Sequence, residues 1–292
     1  ELRGANGHSP RGARTWRAFG HDAYAWLQTP VHASTLGFFR IAFSICMYRQ
    51  ALLFRNMFNE FRQARMVFPY PALGWIEPVQ YDTGNLLLYI NRMSCVFVGV
   101  GLMTKPMTCV LFATFTYLFV LCEANHNNHY ILICHVTGVA SLIDWGRYLS
   151  VDWLLSLIAH RSRVSRLLLN PSPSPTVPYW HLFSMQIMFS IPYFYGSIAK
   201  ANPDWLFRAQ PLKNWFGTED EAFDPHNPHT KYFGWVAADW WFPWFIAWGG
   251  FAFDLGIVWL LMSRHIRFWI AFPSAVMFNV MNKLMFNIGI FP

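Results

Sequence analysis

A single lysine, Lys200, ends the long apolar stretch that begins at Trp180. The polar residues Asn202 and Asp204 and the aromatic Trp205 follow it at once. Two interpretations of Lys200 stay open from its spacing alone. A lysine at a helix end can carry its ammonium group to the bilayer surface while its stem lies among apolar groups. Alternatively, burial disfavours the charged amine, so that the lysine acts as a base.

Histidines and asparagines form a second polar segment, which reads His-Asn-Asn-His over residues 126–129. His126 and His129 have a spacing that two metal ligands could use, but no third ligand is evident. The neighbouring asparagines can hydrogen-bond an imidazole instead, so we expect no metal. His135, further along the same stretch, is interpreted as a hydrogen-bonded residue inside a helix bundle.

The composition points to an integral membrane protein. Of the 292 residues, 54% are hydrophobic and only 13% are charged, whereas soluble domains carry about 25% charged residues. Tryptophans and tyrosines cluster near the ends of the apolar runs, where part-polar rings suit the headgroup zone. Membrane lipids are therefore expected partners.

The formal charge of +7 does not indicate a nucleic-acid partner. Basic residues are concentrated in the amino-terminal tail and in loops, a distribution typical of membrane topology. The five cysteines show no CxxC spacing, which argues against a disulfide framework. Glycine-rich nucleotide motifs and the GxSxG hydrolase motif are absent from the sequence.

The apolar runs predict an all-α integral membrane protein, a bundle of about seven transmembrane helices. A polar, basic tail at residues 1–33 precedes a single transmembrane helical domain at residues 34–292. Thr104, Lys105 and Pro106 are predicted to form the hairpin between the second and third spans. The predicted spans are residues 34–54, 85–103, 107–122, 130–143, 180–200, 240–262 and 266–286.

Charged residues within these runs constrain the packing. Arg40 and Arg49 in the first span are expected to face protein or water, because facing lipid costs about 2.5–3.5 kcal/mol or more. The distribution of Lys and Arg among the loops places the start of the fourth span and the end of the fifth on one side of the membrane. The loop at residues 55–65 departs from that rule. The sequence therefore predicts that His129 and Lys200 lie at the same depth.

Several motifs, taken in order, resemble a known family. The sequence resembles the membrane domain of vitamin K-dependent gamma-glutamyl carboxylase and its wider relatives, the horizontally transferred transmembrane (HTTM) proteins. The similarity covers roughly residues 34–291. Its motifs are Phe39-Arg40, Asn127-Asn128-His129, Ser150-Val151-Asp152, Lys200-x-x-x-Asp204-Trp205, Gly249-Gly250 with Asp254, Phe278-x-x-Met281-Asn282 and Phe286-x-Ile288-Gly289-x-Phe291.

The resemblance implies a chemistry for these residues. In the family, a lysine matched by Lys200 is the base that deprotonates reduced vitamin K, with oxygen and carbon dioxide as co-substrates. The histidine matched by His129 would hydrogen-bond the quinone or the developing anion. The other residues that the resemblance assigns to substrate binding are Asn128, Asn279, Asn282, Asp204 and Trp205.

Two departures from the family pattern shape the expected function. Relatives carry a histidine in the seventh span where this sequence has Asn279, which cannot titrate. The carboxylase also continues into a large lumenal region, whereas this sequence stops at Pro292. Oxidation or epoxidation of a vitamin K-type hydroquinone is therefore favoured over glutamate carboxylation.

Two other functions remain open. One is a non-catalytic HTTM-fold subunit of a larger membrane complex, which binds lipid or quinone and has protein partners. The other is a transporter or channel, for which the midplane charges would have to form a pathway. Internal ion pairs or snorkelling explain those charges equally well. They are Arg40, Arg49, Arg92, Asp254 and Lys283.

Overall fold

The computed structural model describes residues 16–64, 68–77, 79–158, 174–216, 236, 239–263 and 265–285. These residues belong to two compact units. Unit 1 takes its residues from 1–125 and 136–185, and unit 2 takes them from 126–135 and 186–292. The single domain over 34–292 stays a prediction.

Helices dominate the described part of the chain, in agreement with the predicted helical class. A 3₁₀ turn covers Glu123–Asn125, and a π-helical turn, Arg267–Ala271, leads into the last helix. The helices are α1 (Trp16–Leu27), α2 (Ser34–Ala64), α3 (Tyr81–Val100), α4 (Thr104–Val120), α5 (Asn128–Leu142), α6 (Val151–Ile158), α7 (Tyr179–Lys200), α8 (Pro203–Arg208), α9 (Leu212–Phe216), α10 (Phe242–Met262) and α11 (Phe272–Met285).

Unit 1 also contains a short antiparallel sheet, which the sequence analysis did not predict and which leaves the all-α class unchanged. Strand β1 (Pro30–His32) pairs with β2 (Thr176–Pro178), so that Val31 lies opposite Val177. Both strands contain proline, and a residue that precedes proline favours extended backbone. Strands of three residues are too short for an alternating pattern, which explains why the sequence did not reveal them.

Two of the described helices are long and apolar enough to cross a membrane. They are Ser34–Asn56 within α2, with a mean hydropathy of 1.2, and Phe242–Met262, with 1.8. α4 is apolar but shorter. On α10 large apolar side chains remain exposed, including Phe245 at 63% and Trp259 at 69%. An apolar surface of this kind suits lipid or protein contact, not water.

Arg40 joins three segments of unit 1. Its side chain is 0% exposed. Nη1 donates to the carbonyl oxygens of Val98 and Gly99, and Nη2 donates to that of Leu149 at 2.5 Å. The prediction that Arg40 faces protein is thereby confirmed, while Arg49 on the same helix is exposed.

The hairpin between α3 and α4 lies earlier than the predicted Thr104–Lys105–Pro106. α3 ends before Gly101, which has a left-handed φ of 76°, and α4 begins at Thr104. Asp152 accepts hydrogen bonds from the backbone N–H groups of Met103 and Thr104, both at 2.8 Å. This distant carboxylate satisfies the start of α4 and fixes the boundary. Pro106 fits within the first turn, where its missing N–H removes no helical hydrogen bond.

Unit 2 has its own hydrophobic core. Trp205 and Met281 are among the partly buried side chains that pack against it. The core therefore joins the short helices that follow Lys200 to α10 and α11. Its buried members are Ala209, Leu212, Phe216, Phe242, Ala247 and Met285.

Candidate functional site

Lys200 and Asp254 form an ion pair in unit 2. Nζ of Lys200, the last residue of α7, donates to Oδ2 of Asp254 on α10. The Lys200 side chain is 21% exposed, and Asp254 is 4% exposed. A buried carboxylate needs such a partner because desolvating an isolated charge costs several kcal/mol. Lys200 thus has a protein partner at the end of its apolar helix.

Glycines create the room for this pair. A Cβ atom on Gly196, four residues before Lys200, would lie 2.8 Å from Oδ2 of Asp254. A Cβ on Gly250, four residues before Asp254, would lie 3.9 Å from Cε of Lys200. The charged side chain of each helix therefore lies beside a glycine of the other. Gly249, next in sequence to Gly250, has nothing within 4 Å of a Cβ.

Trp205 covers the amine. Its ring centroid lies 5.5 Å from Nζ of Lys200, a cation–π distance. Its indole N–H donates to the carbonyl oxygen of Ala247 at 2.9 Å, which anchors the ring to α10. Asn202 caps α8 by accepting a hydrogen bond from the Trp205 N–H at 2.9 Å. The polar motif that follows Lys200 therefore turns the chain and places an aromatic ring over the lysine.

Aromatic stacking joins the three long helices of unit 2 at their described residues. Phe253 on α10 stacks on Phe278 of α11, with centroids 3.8 Å apart and an interplanar angle of 13°. Tyr193 on α7 meets the Phe253 ring edge-on at 6.0 Å. Tyr193 and Lys200 are seven residues apart, which places them on one face of α7. The helices that carry Lys200 and Asp254, α7 and α10, are thus also joined by an aromatic contact.

His129 lies in the first turn of α5 and belongs to unit 2. Oδ1 of Asn127 accepts the His129 backbone N–H at 2.8 Å and contacts Nδ1 of the ring at 2.7 Å. An amide oxygen only accepts, so Nδ1 carries the proton and Nε2 is an acceptor in the neutral ring. The expected role of His129, a hydrogen bond to the quinone or its anion, stays a prediction.

The other predicted residues take different positions. Asp204 is 65% exposed and pairs with Arg208 at 2.9 Å, so its carboxylate points to the surface and not to Lys200. Asn279 donates to the carbonyl oxygen of Ala275 on its own helix at 2.8 Å. Asn128 is exposed and Asn282 is partly buried. Trp205 is the predicted binding residue that the structure brings to Lys200.

Asp254 is the site residue that the sequence analysis did not assign. The sequence did contain an indication of its role, because Asp254 is the one charged residue in the apolar run of α10. Gly250 precedes it by four residues, as Gly196 precedes Lys200. The motif Phe286-x-Ile288-Gly289-x-Phe291 lies outside the described residues. Within the described ranges, no three His, Cys, Asp or Glu side chains form a group that could hold a metal ion.

A comparison with known protein families matches most of the chain. A model described as the HTTM domain matches residues 28–292, which is most of the chain. No solved structure matches this chain. The match starts just before β1 and includes both partners of the Lys200–Asp254 pair.

Proposed function

We infer that this chain, which belongs to the HTTM domain family, is a multi-pass membrane protein that removes a proton from a vitamin K-type hydroquinone. Lys200 is the proton acceptor. The observation that carries this proposal is the pairing of Lys200, at the end of an apolar helix, with the buried carboxylate of Asp254. An amine that shares a proton with a carboxylate in dry surroundings fits acid–base chemistry on a weakly acidic phenol.

The surroundings of Lys200 support the choice of an aromatic substrate. Trp205, Tyr193 and the Phe253–Phe278 stack lie on or next to the elements that carry the pair. Flat aromatic rings prefer such neighbours. Low water access also strengthens the attraction between the Lys200 ammonium and a phenolate after proton transfer. Nε2 of His129 would accept a hydrogen bond from a hydroquinone hydroxyl.

A bound hydroquinone and one molecule of oxygen would give the quinone epoxide and one molecule of water. The substrate supplies all four electrons, two in going from hydroquinone to quinone and two in the epoxidation. The protein's part is to hold the substrate, take the phenol proton at Nζ of Lys200 and exclude bulk water. Carbon dioxide becomes a co-substrate only if a glutamate is also carboxylated. We place this second reaction outside the proposal, because Asn279 cannot relay a proton and bonds to its own helix.

The proposal includes about seven membrane spans. Besides α2 and α10, these are α3, α4, α5, α7 and the π-turn with α11. α7, with 22 residues, is about 33 Å long at 1.5 Å per residue. α5, with 15 residues, reaches only about 22 Å and would need a locally thin bilayer or flanking turns.

An assay for quinone epoxide tests the proposed reaction. The detergent-purified protein is mixed with reduced vitamin K and oxygen, and the epoxide is measured by chromatography with mass detection. We expect epoxide in proportion to protein concentration, and none from boiled protein. If folded parent protein yields no epoxide from reduced vitamin K or from benzoquinols with prenyl tails, the proposed reaction is wrong.

A second candidate function is that of a non-catalytic subunit in a larger membrane complex. The exposed aromatic side chains favour it, because Trp259 and Trp269 are 69% and 85% exposed and could contact a partner chain. Purification from native membranes in a mild detergent tests this alternative. A protein partner at constant stoichiometry, together with absence of epoxide, would support the subunit function.

A further inference from the structure

Asp254 is the counterpart of Lys200 and is the one charged residue of α10. With 4% exposure, its carboxylate cannot be solvated by bulk water. Its Oδ2 atom accepts a hydrogen bond from Nζ of Lys200, and a Cβ on Gly196 would approach the same oxygen to 2.8 Å. The carboxylate therefore lies against the backbone of α7, one turn before the amine.

This close approach depends on a specific residue choice. Any side chain at position 196 would displace the carboxylate or α7, because non-bonded heavy atoms do not normally approach within 3.0 Å. Gly249 has open space around a Cβ and is therefore a matched control on the facing helix. Glycine at position 196 thus leaves space for the Asp254 carboxylate beside Lys200. Packing between apolar helices alone would not require a glycine there.

We propose that Asp254 is a positioning residue that controls the protonation of Lys200. The proposal rests on the proposed function of Lys200 as a base. At rest, the pair is an ammonium and a carboxylate. Transfer of one proton from Nζ to Oδ2 gives a neutral amine and a carboxylic acid without changing the net charge. Such a transfer is tolerated in dry surroundings, where separated charges are costly.

The proton balance of the reaction follows. The neutral amine of Lys200 takes the phenol proton, which leaves an ammonium, a phenolate and a protonated Asp254. The pair has then gained one proton and the substrate has lost one. The positive charge of Lys200 lies beside the phenolate while Asp254 is uncharged, so the carboxylate does not compete with the product anion. Release of the Asp254 proton restores the ion pair.

The test measures the chemical reactivity of Lys200 without any quinol. Full-length protein in detergent is labelled with trace acetic anhydride at a series of pH values, and acetylated lysines are quantified by mass spectrometry. Only the uncharged amine reacts. Asp254→Asn removes the carboxylate that stabilises the ammonium, so at neutral pH we expect Lys200 to react at least about tenfold faster. Asp254→Glu should restore most of the parent's slow labelling.

Two controls separate this effect from general disruption. Lys213, whose Nζ lies 5.5 Å from the Trp244 ring, serves as an internal reference and should react equally in all variants. Gly196→Ala should accelerate Lys200 labelling, whereas Gly249→Ala should leave it at the parent rate. If Asp254→Asn does not fold, the labelling rates of Lys200 in Gly196→Ala and Gly249→Ala test the role of Asp254 instead.

Equal labelling of Lys200 in the parent, Asp254→Asn and Gly196→Ala would overturn the proposal. Labelling needs no quinol, so its result is independent of the epoxide assay. Faster labelling of Lys200 in the variants, with no epoxide from the parent, would support control of Lys200 by Asp254 and reject the quinol reaction. Epoxide formation with unshifted labelling would uphold the quinol reaction and reject the role of Asp254.

Discussion

His129 illustrates how local contacts specify the chemistry of one residue. Asn127 both caps α5 and orients the imidazole, because its Oδ1 accepts from the backbone N–H and from the ring. The sequence identified His129 through the Asn-Asn-His motif but did not reveal which ring nitrogen carries the proton. That assignment required the geometry of the cap. In the neutral ring with Nδ1 protonated, Nε2 is a hydrogen-bond acceptor.

At the scale of elements, Arg40 and Asp152 hold the α3–α4 hairpin from opposite sides. Arg40 donates to carbonyl groups at the end of α3, and Asp152 accepts from N–H groups at the start of α4. Gly101 lies between them, where a Cβ would come within 2.8 Å of an Arg40 nitrogen. Two motifs that carried the family resemblance, Phe39-Arg40 and Ser150-Val151-Asp152, thus have a structural role in this unit.

Replacing Arg40 should destabilise the fold strongly. Arg40→Met removes this donor from the carbonyls of Val98, Gly99 and Leu149. The Val98 carbonyl keeps the Gly101 N–H at 3.1 Å, and each buried group left unsatisfied costs about 1–3 kcal/mol. We expect a loss of about 3 kcal/mol or more, seen as a lower melting temperature in detergent. Arg49→Met, on an exposed position of α2, should change stability by less than about 0.5 kcal/mol. Equal effects of the two changes would contradict this role.

The sequence predicted the long helices, whose apolar pattern is continuous. It did not predict features that depend on contacts between residues far apart in the chain. Apolar runs located the long helices, because burial in lipid requires continuous apolar sequence. The α3–α4 boundary was missed because Asp152, far away in sequence, satisfies the first N–H groups of α4. The Lys200–Asp254 contact was missed for the same reason, although Gly-x-x-x-Lys and Gly-x-x-x-Asp were both readable.

For the whole molecule, the proposed topology has a direct test on α4. Lys105 and Ala124 lie near opposite ends of this helix, and both positions are exposed. Single cysteines at these positions, in a background whose five native cysteines are replaced by alanine, are treated with an impermeant maleimide on sealed vesicles. We expect one of the two positions to label before the vesicles are opened, and the other only afterwards. Labelling of both from one side would exclude α4 as a span.

The central claim is that Lys200 is the base for a hydroquinone. Its most direct test compares epoxide formation from reduced vitamin K and oxygen by the parent, Lys200→Ala and Lys213→Ala. Lys213 is the matched control, because it too contacts a tryptophan ring at 5.5 Å, that of Trp244. We predict epoxide from the parent and Lys213→Ala, and at least a hundredfold less from Lys200→Ala, in the range of about 10²–10⁴ for a general base. Equal epoxide formation by the parent and a folded Lys200→Ala variant would contradict the claim.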